Sequence, residues 1–292
     1  MIELRPFNKL GSADHGWLKA RHHFSFGSYH NPANVSHGSL RVWNDDEIAP
    51  NTGFPAHPHA NMEIITFVRE GAITHQDSLG NEGRTEAGDV QVMSAGSGIR
   101  HSEYNLEPVT TKIFQIWIVP TQEGGQPTWG AKPFPKADRS GKFVTIASGF
   151  KADNDALPIR ADARVLATTL KAGETAEYAL GEKRYGYLVP ASGSVEVNGV
   201  LANTRDGVAV QKEASVKITA LEDTAYTFNA AAFALTDTAD ASPNSLLAVK
   251  ISTLPAAGTL ALSGVAVTAG QFVAVADIVA GNLKYTPAAQ AN

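Results

Sequence analysis

Short runs rich in Val, Ile, Phe and Thr, broken roughly every 8 to 12 residues by glycine or by Asn-Gly and Asp-Gly pairs, constrain this chain more than any other feature. Segments with helical periodicity are scarce, so the pattern predicts an all-β protein of sandwich or barrel type. Expected strands include 39–42, 62–69, 90–93, 112–119, 142–146, 164–170, 185–190 and 194–197. Asn198-Gly199, set between Val195/Val197 and Leu201, is a two-residue hairpin signal, because both turn positions need positive φ.

The pattern repeats within the chain. Glu70-Gly71-Ala72-Ile73, Gly80-Asn81 and Ala87-Gly88-Asp89-Val90 are echoed by Ser192-Gly193-Ser194-Val195, Asn198-Gly199 and Asp206-Gly207-Val208. Two barrels of one design in tandem account for the echo. Pro120–Pro135, with Gly124, Gly125, Pro127, Gly130 and Pro133, reads as the linker between them. The expected organisation is a first barrel over 1–120, a second over 121–221 and a partial β module over 222–292.

Composition removes several classes of function. The absence of cysteine excludes disulfide scaffolds, thiolate metal sites and a cysteine nucleophile. A net charge of −5 without a clustered basic run argues against nucleic acid or an acidic membrane as the main partner. No stretch approaches the roughly 20 apolar residues that span a bilayer, and no signal peptide is evident, so a cytoplasmic location is expected.

The nine histidines all lie at or before position 101. Imidazole chemistry is thereby confined to the first third of the chain. In an extended segment side chains alternate faces, so His57 and His59 point the same way, and Glu63, an even number of residues further on, can share that face. About forty residues later His101 and Glu103 are again two apart and co-facial. Three imidazoles and a carboxylate converging inside a barrel make a site with coordination positions left open for water, dioxygen or a chelating substrate. A lone His-x-His is weak evidence. The second pair strengthens it, because burying four such groups without a metal or a tight hydrogen-bond network would cost several kcal/mol.

Gly53, His57, His59, Glu63 and Gly71, followed by Gly88, Ser94, Gly96, His101 and Asn105, are similar to the two cupin motifs. The runs LRVWNDDEI, GFPAHPHANMEIITFVREG, HQDSLGN and GDVQVMSAGSGIRHSEYN resemble the pirin family of bicupins, from about Arg5 to about residue 220. The resemblance implies two tandem cupin jelly-roll barrels and a metal held by His57, His59, His101 and Glu103. Glu63, the ligand that typical cupins use, is then a fallback ligand or supports the ligands from behind. His22 and His75, in the family-like segments HHFSF and HQDS, are candidates for orienting ligands by hydrogen bonds.

The same resemblance implies one divalent transition metal per chain, Fe(II) first, with Mn, Ni, Cu, Co or Zn as alternatives. It also implies a quercetin 2,3-dioxygenase-like activity that opens a flavonol with dioxygen. Glu103 is the candidate base for the flavonol hydroxyl, and Phe24, Phe26, Phe54, Phe114 and Trp117 are candidate pocket walls. The histidine-free second barrel is expected to bind no metal. A competing reading is a metal- or redox-sensing regulator that acts on a protein partner without turnover, and fold and ligands alone do not separate the two.

From Asp237 to Asn292 the chain has fourteen alanines, two lysines and no arginine. Gly258, Gly264, Gly270 and Gly281 interrupt it at strand-and-turn spacing, which predicts further β structure. The pattern GTLALSG…VTAG…ADI…GNLKYTP resembles a truncated cadherin-like repeat of bacterial adhesins. Residues 216–228 read equally as the closing hairpin of the second barrel or as the opening of this repeat.

Overall fold

The computed structural model describes residues 1–133, 140–221, 226–233 and 245–287. The chain forms two compact units, Met1–Ala220 and Leu221–Asn292. The expected boundary at residue 222 lies outside the described residues.

The first unit is built of β-sheets. Seven strands form one of them, in the order Thr128–Lys132, Val90–Ser94, Glu63–Glu70, Thr111–Ile118, Leu40–Ile48, Leu18–His22 and Gly11–Asp14. A four-stranded sheet is made of Thr52–His59, Ile99–Asn105, Ala72–Asp77 and Glu82–Glu86 in that order. Every pairing within these two sheets is antiparallel. The strand Val90–Ser94, second from the edge, is buried throughout, because both of its faces are covered.

Alternation divides the large sheet's residues cleanly. Ile65, Val90, Val92, Phe114, Ile116 and Ile118 on one face pack with Ile146, Ala147, Ile159 and Ala161. The opposite face carries Thr66, Gln91 and Gln115, whose side chains reach Glu103 of the four-stranded sheet.

The remaining strands of this unit form three smaller sheets. Val144–Ser148 lies between Leu157–Pro158 and Arg164–Ala167. Thr175–Tyr178, Val216–Ala220, Val195–Val197 and Val200–Ala202 make the second. The third places Gly207–Gln211 between Ile2–Arg5 and Tyr185–Leu188. Val197 pairs with Val200 across the expected hairpin, with Asn198 at φ 45° and Gly199 at φ 86°.

Two strands lie outside the simple division at residue 120. Ile2–Arg5 pairs with Gly207–Gln211, over two hundred residues on. Thr128–Lys132, inside the stretch read as a linker, is an edge strand of the seven-stranded sheet. The glycines and prolines around it mask a run whose Trp129 finds a partner only in the folded molecule. The junction also resolves: Val216–Ala220 pairs within the first unit, whereas Tyr226–Thr227 pairs with Leu283–Thr286 in the second.

The second unit holds a four-stranded sheet, in the order Tyr226–Thr227, Leu283–Thr286, Thr259–Leu262 and Val265–Ala266, and a two-stranded one of Ala248–Lys250 with Phe272–Ala274. Ile251, Val267, Val273, Ile278 and Leu283 form its core. This is the further β structure expected of the tail, joined among the described residues by one short α-helix, Val275–Val279, which gives Ile278 to that core. Among the described residues no helix is long and apolar enough to cross a membrane.

Candidate metal centre

Neighbouring strands of the four-stranded sheet bring the histidines together. His57 pairs directly with His101, and His59 with Ile99. A register shift lies between His101 and Glu103. The ring centroids of His57, His59 and His101 are 4.5 to 5.0 Å apart. One ligand atom from each of the three lies within 4.8 Å of the others.

The donor atoms suit a metal. His57 Nδ1 lies 2.7 Å from the Pro55 carbonyl, which can only accept, so Nδ1 carries a proton and Nε2 is the nitrogen that can serve as a ligand. His101 is 2% exposed, and its buried Nε2 has no hydrogen-bond partner. Burial first, and then the charge of its neighbours His57, His59 and His75, pushes His101 down to about 2. Burial and then His57 push His59 down to about 4. Both rings are therefore neutral at physiological pH, as a ligand must be. An orphaned buried nitrogen among converging neutral imidazoles fits a single divalent transition ion.

Glu103 belongs to an overlapping cluster with His75 and His101. Its carboxylate is fully buried in a clasp of three donors. Thr66 Oγ1 and Gln91 Nε2 donate to Oε1 at 3.0 and 2.5 Å, and Gln115 Nε2 donates to Oε2 at 2.8 Å. Gln115, Thr66 and Gln91 sit in direct register across three adjacent strands, so one cross-strand row holds one carboxylate. With about two lone-pair sites per oxygen, Oε1 is filled and Oε2 keeps one site free. Burial raises the pKa of Glu103, and the surrounding imidazoles and hydrogen bonds oppose that shift.

The other sequence candidates are placed as follows. His75 is buried, with Nδ1 3.4 Å from His101 Nδ1 and Nε2 3.1 Å from Asp77 Oδ2. His22 Nδ1 contacts Asn44 Oδ1 at 2.9 Å, and His22 is in neither cluster. Glu63 is also in neither cluster, and its Oε2 accepts from Ser94 Oγ at 2.5 Å. The parity argument that put Glu63 on the face of His57 fails because the strand ends at His59. Asn61 then turns the chain at φ 52°, and Glu63 opens a strand of the other sheet, in phase with Ile65.

Of the expected pocket aromatics, Trp117 meets the His59 ring edge-on at 4.9 Å, Phe26 packs on Trp117, and Phe54 lies 6.3 Å from the His57 ring. Phe24 instead packs on Tyr187 and Phe114 on Trp43 in the core, beside His23 and not beside His57, His59 or His101. A depression of about 490 Å³ adjoins His59, lined by Pro58, Ala60, Ser78, Ile99 and Arg100 among others. That size suits a small aromatic molecule.

Sequence reading missed Thr66, Gln91, Gln115, Asp77 and Trp129. A signal was present for the two glutamines: each interrupts an otherwise apolar strand, VQVMS and KIFQIWI. A polar residue buried in such a run needs a partner.

Comparison with known proteins places the chain and its fold in a family. The family described as Pirin matches residues 3–118, and that described as Quercetinase C-terminal cupin domain matches residues 145–227. A pirin-like protein of Caulobacter vibrioides is 74% identical over 223 residues, covering 76% of this chain and 96% of its own. The quercetin 2,3-dioxygenase of Escherichia coli K12 is 39% identical over 226 residues, with 76% and 95% covered. The crystal structure of the Escherichia coli pirin YhhW in complex with nickel(II) superposes with a TM-score of 0.71 at 38% identity, covering 75% of this chain and 94% of that one. Sequence similarity at this level, over nearly the whole length of these relatives, makes this chain a member of the pirin family.

Proposed function

We propose that this protein is a metal-dependent dioxygenase that opens flavonols such as quercetin with dioxygen. The observation that carries the reading is the buried, unpartnered Nε2 of His101, on a ring that clusters with His57 and His59 and also with Glu103, a carboxylate with one open lone-pair site. In this reading His57, His59, His101 and Glu103 hold one divalent ion, Fe(II) by family resemblance, with Mn, Ni, Cu, Co or Zn as alternatives. The quercetin dioxygenase relative and the nickel-bound pirin support the assignment.

When bound, the metal lowers the pKa of a coordinated flavonol hydroxyl and supplies the site for dioxygen chemistry. This chain's own residues do the rest. The depression beside His59 would admit the aromatic substrate, and Trp117 packs edge-on against the His59 ring. The clasp of Thr66, Gln91 and Gln115 fixes Glu103, so only the open lone pair on Oε2 can take a proton or a metal. Glu103 as base therefore requires that it give up any metal contact while it holds the substrate proton. Burial favours the protonated form and makes that transfer easier. The C-terminal unit we read as a cadherin-like module with no part in the chemistry.

Loading the purified protein with Fe(II), Mn(II), Ni(II) or Cu(II), and following quercetin absorbance together with oxygen uptake, tests the proposal. Equal consumption of quercetin and oxygen is expected with at least one metal. Bound metal without oxygen uptake would leave the regulatory reading in its place.

A further inference from the structure

Asp77 lies at the end of a hydrogen-bond chain that runs into the histidine cluster. Its Oδ1 accepts from the Leu79 amide at 2.9 Å and the Asn81 amide at 3.1 Å, and its Oδ2 from Asn81 Nδ2 at 2.9 Å. Donors converge on it from every side, so it acts as an acceptor-only carboxylate. His75 Nε2, 3.1 Å away, must then carry the proton of that contact. With its proton on Nε2, His75 offers Nδ1 as the acceptor to His101 Nδ1, 3.4 Å away. That contact is satisfied only if His101 carries its proton on Nδ1, which leaves the buried Nε2 bare in a ring that clusters with His57 and His59.

The geometry is built into the sheet. Asp77 pairs with His101, and Glu103 with His75, on neighbouring strands. The residue opposite His75 on its other side is Gly83. A Cβ there would lie 2.3 Å from the Trp129 ring, so glycine leaves room for the indole, which stacks on His75 at 4.8 Å and 9°. His75 is thus fixed in plane by Trp129 and in rotation by Asp77.

We propose that Asp77 and His75 are positioning residues that lock His101 in the tautomer presenting Nε2 to the metal, with Trp129 as the plate that holds His75 in plane. The inference rests on the metal reading for its purpose but not for its geometry, which exists in the metal-free chain. The arrangement is the carboxylate–histidine–metal relay lengthened by one imidazole.

Two measurements test it. In ¹⁵N-histidine-labelled metal-free protein, with the His101 signals assigned by their loss in His101→Gln, long-range ¹H–¹⁵N correlation reads the tautomer directly. Protonated Nδ1 and bare Nε2 are expected at His101, and a proton on Nε2 would overturn the proposal whether or not any metal binds. The second measurement is Zn(II) affinity by competition with a chromophoric chelator. His75→Phe keeps a ring against Trp129 but removes the acceptor, and a loss of about 10- to 100-fold is expected. His75→Gln, whose carbonyl can accept from His101 Nδ1, should recover part of that loss. Unchanged affinity in His75→Phe, with His57→Ala abolishing binding, would discard the relay and leave the metal site standing. Wild-type protein that takes up no Zn(II) would instead remove the metal reading, and the tautomer measurement would still decide the relay.

Discussion

Two interiors within the Met1–Ala220 unit are built from the same kind of antiparallel strand and filled in opposite ways. Between the seven-stranded and four-stranded sheets, His75, His101, Glu103, Gln91, Thr66 and Gln115 are all buried. The core of Ala176, Val197, Ala202, Val208, Val210, Val216 and Ile218 is apolar throughout. Filling an interior with hydrocarbon is the stabilising choice, and leaving polar groups in one costs free energy unless each finds a partner. Here almost every polar group does: the cross-strand row of Gln115, Thr66 and Gln91 has no evident purpose except to hold Glu103. Asp46 Oδ1, Trp129 Nε1 and His101 Nε2 are left without a partner among the described residues, and of the two nitrogens only that of the imidazole has a lone pair to offer a metal. One interior is therefore arranged for stability and the other keeps a vacancy in its hydrogen bonding that a metal can fill.

Substitutions that exchange these roles should break the comparison. His57→Ala is expected to abolish metal-dependent oxygen uptake with quercetin while leaving urea unfolding of the metal-free chain nearly unchanged, since His57 is only half-buried. Retained uptake would move the site elsewhere. In the apolar interior the order reverses. Ile218→Ala should cost about 2–5 kcal/mol in urea unfolding, by lost burial and a cavity, without changing metal stoichiometry.

A third test uses pH. His23 is buried against Tyr187 and Trp43, and burial first, then the charges of Arg5 and Arg205, pushes it down to about 3. Because its folded pKa lies below the unfolded value, folding excludes a proton that the unfolded chain binds below pH 6.5. Stability should therefore fall as pH drops from about 6.5 towards 3, by on the order of 3 kcal/mol at pH 4. His23→Phe should flatten this slope, and an equal slope in both proteins would remove His23 from the account. The smallest effect sharpens the comparison rather than breaking it. Gln115→Leu removes one donor from the Glu103 clasp, and a loss of about 1.5–3 kcal/mol in urea unfolding is expected. A neutral result would mean that Glu103 is already protonated in the metal-free protein.

How much of this was legible in the sequence follows the same contrast. The apolar strands, the Asn198-Gly199 hairpin and the histidine pairs could be read locally, because alternation and turn chemistry are local properties. His57 and His59 lie on one strand and meet His101 of the neighbouring one, whereas Glu103, past a register shift on that neighbour, clusters with His75 and His101. Glu63 did not follow, because its parity was counted across a turn at Asn61 that passes the chain to another sheet. The swapped edges, Ile2–Arg5 and Thr128–Lys132, were illegible because their partners are remote in sequence or reached through a glycine-rich loop. Asp77 and Trp129 were missed for a related reason: each acts through His75, and nothing in their own segments announces that contact.

The central claim is that the polar interior, and not the apolar one, holds a single divalent ion. Metal content per chain, measured by inductively coupled plasma mass spectrometry after loading and desalting, tests it most directly when wild type and His101→Ala are compared. One metal atom per wild-type chain and essentially none in the variant are predicted. Two atoms per wild-type chain, or undiminished content in His101→Ala, would contradict it.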